Sequence, residues 1–425
     1  MKQLLLLAVL IMCIIFLGSF DHVIAEEEKE TVFLNTLIDE ALQNNPVLLM
    51  KKNQLRALEE KIPQVGTLPD PTIKLGLVNL PEAFDFNDEP MTQKQISLSQ
   101  KLPFRGKLSL QKEIARKEVH QHEAAYTYQQ LEIVARVKKA YCSLFFIDKS
   151  VEITKKNEVL LKDFLDIAKS WYSVGKGVHQ DILKADVELS LIKEKLLKLS
   201  QQRVIMLATL NTLLNREQCA PLQGDPELSL TPSPLNIEAI QSTSLDHHPL
   251  LRHDQFLREK VAVALDLAHK EYYPDFEISV SYGHREDSFS QNRPDFFSGF
   301  VGLNIPVWYK TKQSRKVEEL RYTAVSAQRS FEAVRNDLKM KITTLVAEVE
   351  QNSDLVDLYR NEIIPQARRT LDSSLTSYQV GGVDFLTLLM NLKILYRYEL
   401  ELYKVRTDYE KNLADLEVAV GKRLF

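Results

Sequence analysis

The sequence predicts a mainly α-helical fold with a small β part: long antiparallel coiled-coil helices and four short strands per chain. Three observations carry this prediction. The stretch from Lys107 to Val174 contains no Gly and no Pro, and at 1.5 Å per residue it forms a helix of roughly 100 Å. Only 13 of 425 residues are Gly, and Leu, Lys, Glu and Gln dominate, which is the composition of long helices. The motifs also recur. Pro46 and Pro249, Pro71 and Pro274, and Pro103 and Pro306 are each 203 positions apart, and Tyr172-Ser173-Val174-Gly175 returns as Tyr378-Gln379-Val380-Gly381. Three proline anchors at one offset identify a tandem duplication.

Residues 1–25 read as an export signal, with Lys2, an apolar run from Leu4 to Leu17, and Val23-Ile24-Ala25 before Glu26. The first repeat then occupies 26–215. It contains a short helix (31–44), a second helix from Pro46, strands 72–80 and 94–102, the long helix 107–174 and a helix over 178–215. Residues 216–237 hold Pro221, Pro226, Pro232 and Pro234 and read as a linker. The second repeat, 238–425, mirrors the first: a short helix (238–246), a helix from Pro249, strands 276–284 and 296–305, a long helix 307–380 and a helix 383–420. In each repeat the two shorter helices together match the long one, so stacking them end to end would give a parallel column.

The helices carry a 3,4 apolar spacing, seen in Ile182, Ala185, Leu189 and Ile192 and again in Phe385, Leu388, Leu392 and Leu395. That is a coiled-coil seam, interrupted by Arg203 in one helix and by Glu399 and Arg406 in the other. The strands alternate with period two. Phe276, Ile278, Val280 and Tyr282 share one face, with Glu277, Ser279, Ser281 and Gly283 opposite; Ile73, Leu75 and Leu77, and Ile96 and Leu98, alternate in the same way. An ordinary half-buried sheet gives this pattern. So does a tilted outer-membrane barrel strand with lipid outside and water inside.

Four strands are too few to close a barrel, and an open edge cannot sit in lipid. Three copies would give twelve antiparallel strands above a cylinder of about twelve helical columns, the smallest closure with an aqueous bore. The net charge of −4 argues against nucleic acid as a partner. No segment of about 20 residues after the export signal is apolar throughout, so no transmembrane helix is predicted.

The Asn45-Pro46 helix start, Pro69-Asp70-Pro71, Gln100-Lys101-Leu102-Pro103-Phe104-Arg105-Gly106-Lys107, Ile363-Ile364-Pro365-Gln366-Ala367 and Tyr378-Gln379-Val380-Gly381 occur in an order and spacing that resemble the outer-membrane efflux factor family, the TolC type. The resemblance covers nearly all of the chain after residue 25. It implies a homotrimeric channel in outer-membrane lipid, its barrel continuing as a helical tunnel through the periplasm. The implied partners are a periplasmic adaptor (membrane fusion) protein and an inner-membrane efflux pump of the RND type. It further implies adaptor-docking tips at Val174, Gly175, Val380 and Gly381, and a periplasmic aperture around Asp181, Asp384, Thr387 and Met390. Some members carry aspartates where this chain has Thr387 and Met390, so a ring of acids that would favour cations is absent there. Asp181 also reads simply as a first-turn acid stabilised by the helix dipole.

Pro365 falls inside the second long helix, where its first-repeat counterpart is Val159. Proline removes a backbone hydrogen bond, so this position is expected to kink the rod and to serve either gating or static packing. The segments 80–91 and 285–293 are expected as exposed barrel hairpins, and Asn79-Leu80-Pro81 with Lys101–Lys107 resembles members serving heavy-metal pumps. His247-His248 and the pair His120/His122 do not share a helical face in metal-binding geometry. Gly175-Lys176-Gly177 lacks the strand and pattern of a phosphate loop. Cys142 and Cys219 make no disulfide framework, no cofactor is implied, and no catalytic constellation can be assembled. A periplasmic coiled-coil structural or adaptor protein is the alternative reading; in adaptors one helical hairpin is inserted in a β-rich chain, whereas here hairpins recur in tandem.

Overall fold

The computed structural model describes residues 34–222, 231, 247–287 and 292–424. The expected export signal, most of the linker and the short helix 238–246 lie outside them. The elements are α1 (Leu34–Asn44), α2 (Pro46–Gly66), β1 (Thr72–Val78), β2 (Gln93–Leu102), α3 (Lys107–Ser173), α4 (His179–Leu214), α5 (Pro249–Lys270), β3 (Asp275–His284), β4 (Phe296–Asn304), α6 (Gln313–Leu358), a π turn (Tyr359–Ile363), α7 (Ile364–Gln379) and α8 (Phe385–Val420).

The strands form one antiparallel sheet in the order β1-β2-β3-β4. The helices line up in the same order: α2 and α4 pack on α3, α3 packs on α5 and α8, and these pack on α6 and α7. Each repeat therefore contributes two strands and two helical columns, one column an unbroken or nearly unbroken rod and the other made of two stacked helices. The seam positions are where the core forms. Ala185, Leu189 and Ile192 of α4 and Phe385, Leu388, Leu392 and Leu395 of α8 join Leu161, Phe164 and Leu165 of α3 in one buried cluster near the helical tips. Seam charges are matched across helices. Arg203 Nε meets Asp148 Oδ1 on α3 at 2.7 Å, and Glu399 accepts from Arg368 Nη2 on α7 at 2.8 Å.

The second long helix differs from the expected 307–380 in two respects. It begins at Gln313, after a turn in which Thr311 N and Lys312 N both donate to the Trp308 carbonyl. In the first repeat Gly106 takes φ 95° and turns the chain directly into α3. Its counterpart is Tyr309, which a left-handed conformation would strain, and the chain takes a longer turn instead. The rod is also interrupted by the π turn, in which Ile364 N donates to the Tyr359 carbonyl immediately before Pro365. Pro365 has no N–H to continue the ladder, and the widened turn accommodates it with helical dihedrals on both sides.

Candidate functional site

Two regions stand out, the sheet and the helical tips. The cross-strand register sets Leu75 opposite Ile96, Ile96 opposite Tyr282 and Tyr282 opposite Phe297, so one face collects apolar residues from all four strands, while Phe296 and Phe300 of β4 fall on the other. That face is bare: Leu75 and Phe297 are each 78% exposed and Val301 is 71% exposed. The opposite face carries Gln95, Ser97, Ser279 and Ser281, with Gln95 Nε2 donating to Ser281 Oγ at 3.1 Å. It is the more sheltered of the two. Ser281 is buried while its neighbours Val280 and Tyr282 are exposed. Apart from Phe296 and Phe300, the sheet is thus inverted, with its large apolar side chains on the bare face and its small polar ones on the sheltered face. In water such a surface would cost on the order of 25 cal/mol per Å² of apolar area; in lipid that cost disappears. β1 and β4 are edge strands with one side unpaired, which lipid does not tolerate. Among the described residues no helix is long and apolar enough to cross a membrane.

A buried lysine ties the sheet to the helical columns. Lys107 Nζ, at the first residue of α3, lies 2.7 Å from Asp275 Oδ1 and 2.9 Å from the Tyr273 carbonyl, and Asp275 also accepts from Phe104 N. Phe104 stacks on Tyr273 with centroids 4.6 Å apart. The helix start of one repeat is thereby held against the strand start of the other. The motif around Lys107 is visible in the sequence, but its partner Asp275, 168 residues away, is not.

At the tips, Gly175 and Gly381 take φ 74° and 78°. Gly175 N donates to the Tyr172 carbonyl and Gly381 N to the Tyr378 carbonyl, both at 3.0 Å, closing each helix with a left-handed residue. A side chain at Gly175 would meet nothing within 4 Å, so backbone conformation, rather than space, calls for glycine there. Val174 and Val380 beside them are 65% and 80% exposed. The two tips are joined by aromatic rings: Trp171 stacks on Tyr378 at 5.1 Å, and Tyr378 meets Phe385 at 5.7 Å.

Asp384 caps α8, accepting from Thr387 N at 2.8 Å, and hydrogen bonding from the Thr387 side chain, with this backbone bond adding, holds its carboxyl below the usual value. Asp181 lies in the first turn of α4 without a capping bond. Burial, with the Asp384 charge adding, pushes Asp181 up, while Lys184 opposes the shift. The two acids therefore belong to one electrostatic neighbourhood contributed by both hairpins. Met390 instead lines a shallow groove of about 360 Å³ between α4 and α8, with Leu183, Val187 and Leu386. Thr387 is exposed. Across this groove Lys393 pairs with Glu188.

The remaining candidate ligands have other roles. His248 engages both ring nitrogens with backbone groups, and His120 Nδ1 lies 2.9 Å from Glu123. Cys142 is buried, which pushes its thiol up to about 12, and Cys219 is exposed; both are free. Among the described residues no three His, Cys, Asp or Glu side chains gather as a metal site.

Comparison with known proteins agrees with this geometry. Residues 37–216 match the outer membrane efflux protein family, OEP. The outer membrane protein TolC of Vibrio cholerae is 21% identical over 417 residues, spanning 91% of this chain and 90% of that protein. The crystal structure of the outer membrane protein VceC from Vibrio cholerae superposes with a TM-score of 0.78 at 17% identity, over 92% of this chain and 96% of the other. The Campylobacter jejuni CmeC outer membrane channel gives 0.78 at 13% identity, over 93% and 90%. The family match covers the first repeat, and over nearly its whole length the chain shares the fold of these outer-membrane channels.

Proposed function

We propose that three copies of this chain close a twelve-stranded barrel on a helical tunnel, forming the passive exit duct of a tripartite efflux system. Cargo would arrive from an inner-membrane pump of the RND type through a periplasmic adaptor. The observation that carries this reading is the inverted sheet: an outward apolar face, a sheltered polar face and two unpaired edges that only neighbouring copies can satisfy. The exposed Val174 and Val380, each beside a left-handed glycine, are the docking tips for the adaptor. Asp181, Asp384, Thr387 and Met390 border the periplasmic aperture, and the π turn before Pro365 is the bend about which the second hairpin moves. The similarity of Asn79-Leu80-Pro81 and Lys101–Lys107 to members serving heavy-metal pumps supports metal export as the cargo class.

Single-channel conductance in a planar bilayer tests the proposal. Stable openings, altered by substitution at Thr387 or Met390, are expected, and Pro365→Ala should change closed-state conductance. A folded, oligomeric protein that never inserts would point to a periplasmic scaffold. Unchanged conductance in Pro365→Ala would remove the gating role from the bend.

A further inference from the structure

The chain makes the same end-to-end join twice, with different chemistry. In the first repeat, Asn45 precedes Pro46 at the start of α2. Its Oδ1 accepts from Val47 N and Leu48 N at 3.0 and 3.4 Å, while its Nδ2 donates to the Leu213 carbonyl near the end of α4 at 2.8 Å. In the second, His248 precedes Pro249 at the start of α5. Its Nδ1 accepts from Leu250 N at 3.1 Å, and its Nε2 lies 3.0 Å from the Val418 carbonyl near the end of α8. Each side chain satisfies an orphan N–H at one helix start and a carbonyl at another helix end. Each is buried, Asn45 to 3% and His248 to 0% exposure. These two residues splice the stacked helices into columns.

An amide does not titrate in the ordinary pH range, whereas an imidazole does. Only the neutral ring with its proton on Nε2 can accept from Leu250 N and donate to Val418 O together. Protonation places a second N–H against the Leu250 N–H, and the cap is lost. Among the described residues, the charge acting on the ring is a lysine's and not a carboxylate's. Tyr128 on α3 faces the ring at 6.1 Å, and the charge of Lys341 on α6 disfavours the imidazolium. Glu417 on α8 is already held by Lys138 Nζ of α3 at 2.6 Å and by Leu424 N. Gly421, at φ 82°, closes α8 against the ring; a Cβ there would come within 2.9 Å of His248 Cδ2 and 2.7 Å of Pro249 Cδ.

We propose that His248 makes the α8–α5 splice a pH-sensitive joint, closed by the neutral imidazole and released by the imidazolium, while the Asn45 splice is indifferent to pH. Burial lowers the proton affinity of His248 in the folded chain. The folded state therefore binds fewer protons than the unfolded one below the ordinary histidine value. Stability contributed by this joint is complete above that value and is lost as pH falls through and below it. Acidification slackens one column per chain, the one ending in the second hairpin.

The test is thermal unfolding of the full-length protein in detergent, followed by circular dichroism at about pH 8 and about pH 5, for wild type, His248→Asn and Asn45→His. It reads stability alone and stands whether or not the chain conducts. Wild type should lose several degrees on acidification; His248→Asn should remove most of that loss and Asn45→His should add to it. An acid loss in His248→Asn equal to that of wild type overturns the joint. Should His248→Asn fail to fold, ¹⁵N NMR of histidine-labelled wild type decides: a ring protonated only at Nε2 at the higher pH supports the proposal, and any other protonation state there overturns it.

Discussion

The two repeats share a plan and differ in how rigidly they execute it. The first long helix runs 67 residues without a break from a left-handed glycine at its start. The second starts a turn later and is interrupted by a π turn before Pro365. The second repeat also supplies two of the three rings that join the tips, Tyr378 and Phe385, against Trp171 of the first. Phe385 is 1% exposed in the cluster shared by both hairpins, whereas His179, its counterpart, is exposed on α4. One half of the duplication has thus kept an uninterrupted rod, while the other carries the bulge, the titratable splice and the buried Phe385 of the tip. Duplication doubles the architecture; divergence then divides the labour within it.

The largest effect that would break this contrast lies at the tip. Phe385→Ala should cost about 3–5 kcal/mol in hydrogen-exchange protection of the tip helices. His179→Ala should stay within about 0.5 kcal/mol; equal effects would mean that both hairpins anchor the tip alike. Next comes the rod. Val159→Pro places in α3 the residue that the second repeat already accommodates, but without a π turn to receive it. A loss of about 3 kcal/mol or more is expected in denaturant unfolding, and a neutral outcome would show that α3 can adopt the same bulge. The smallest effect sharpens the difference in helix starts. Gly106→Ala forces a side chain into φ 95° and should cost about 1–2 kcal/mol, read as a lowered melting temperature. Tyr309→Gly should not raise that temperature, because the second repeat has already taken the longer turn.

Much of the fold was legible because its signals are local and periodic. The absence of Gly and Pro marked α3, the proline offset exposed the duplication, and period-two alternation assigned the strand faces. The glycine tips were legible too, since a left-handed turn between helices has few other solutions. The later start of α6 was not: reading Tyr309 as equivalent to Gly106 required knowing that Gly106 adopts positive φ. Nor was the division among the residues proposed for the aperture, where Asp181 and Asp384 share one electrostatic neighbourhood while Met390 lies in the α4–α8 groove. Spacing along a helix orders residues but does not say which neighbour each one faces.

The sequence by itself determined the repeat, the lengths of the rods and the two faces of each strand, because a helix or strand is written by residues within a few positions of one another. Tertiary structure alone decided how these parts are joined. Asn45 reaches Leu213 across 168 positions, His248 reaches Val418 across 170, and Lys107 reaches Asp275 across 168. Such bonds satisfy polar groups left over at the ends of elements, and the partner of a leftover group depends on which end the packed columns bring beside it.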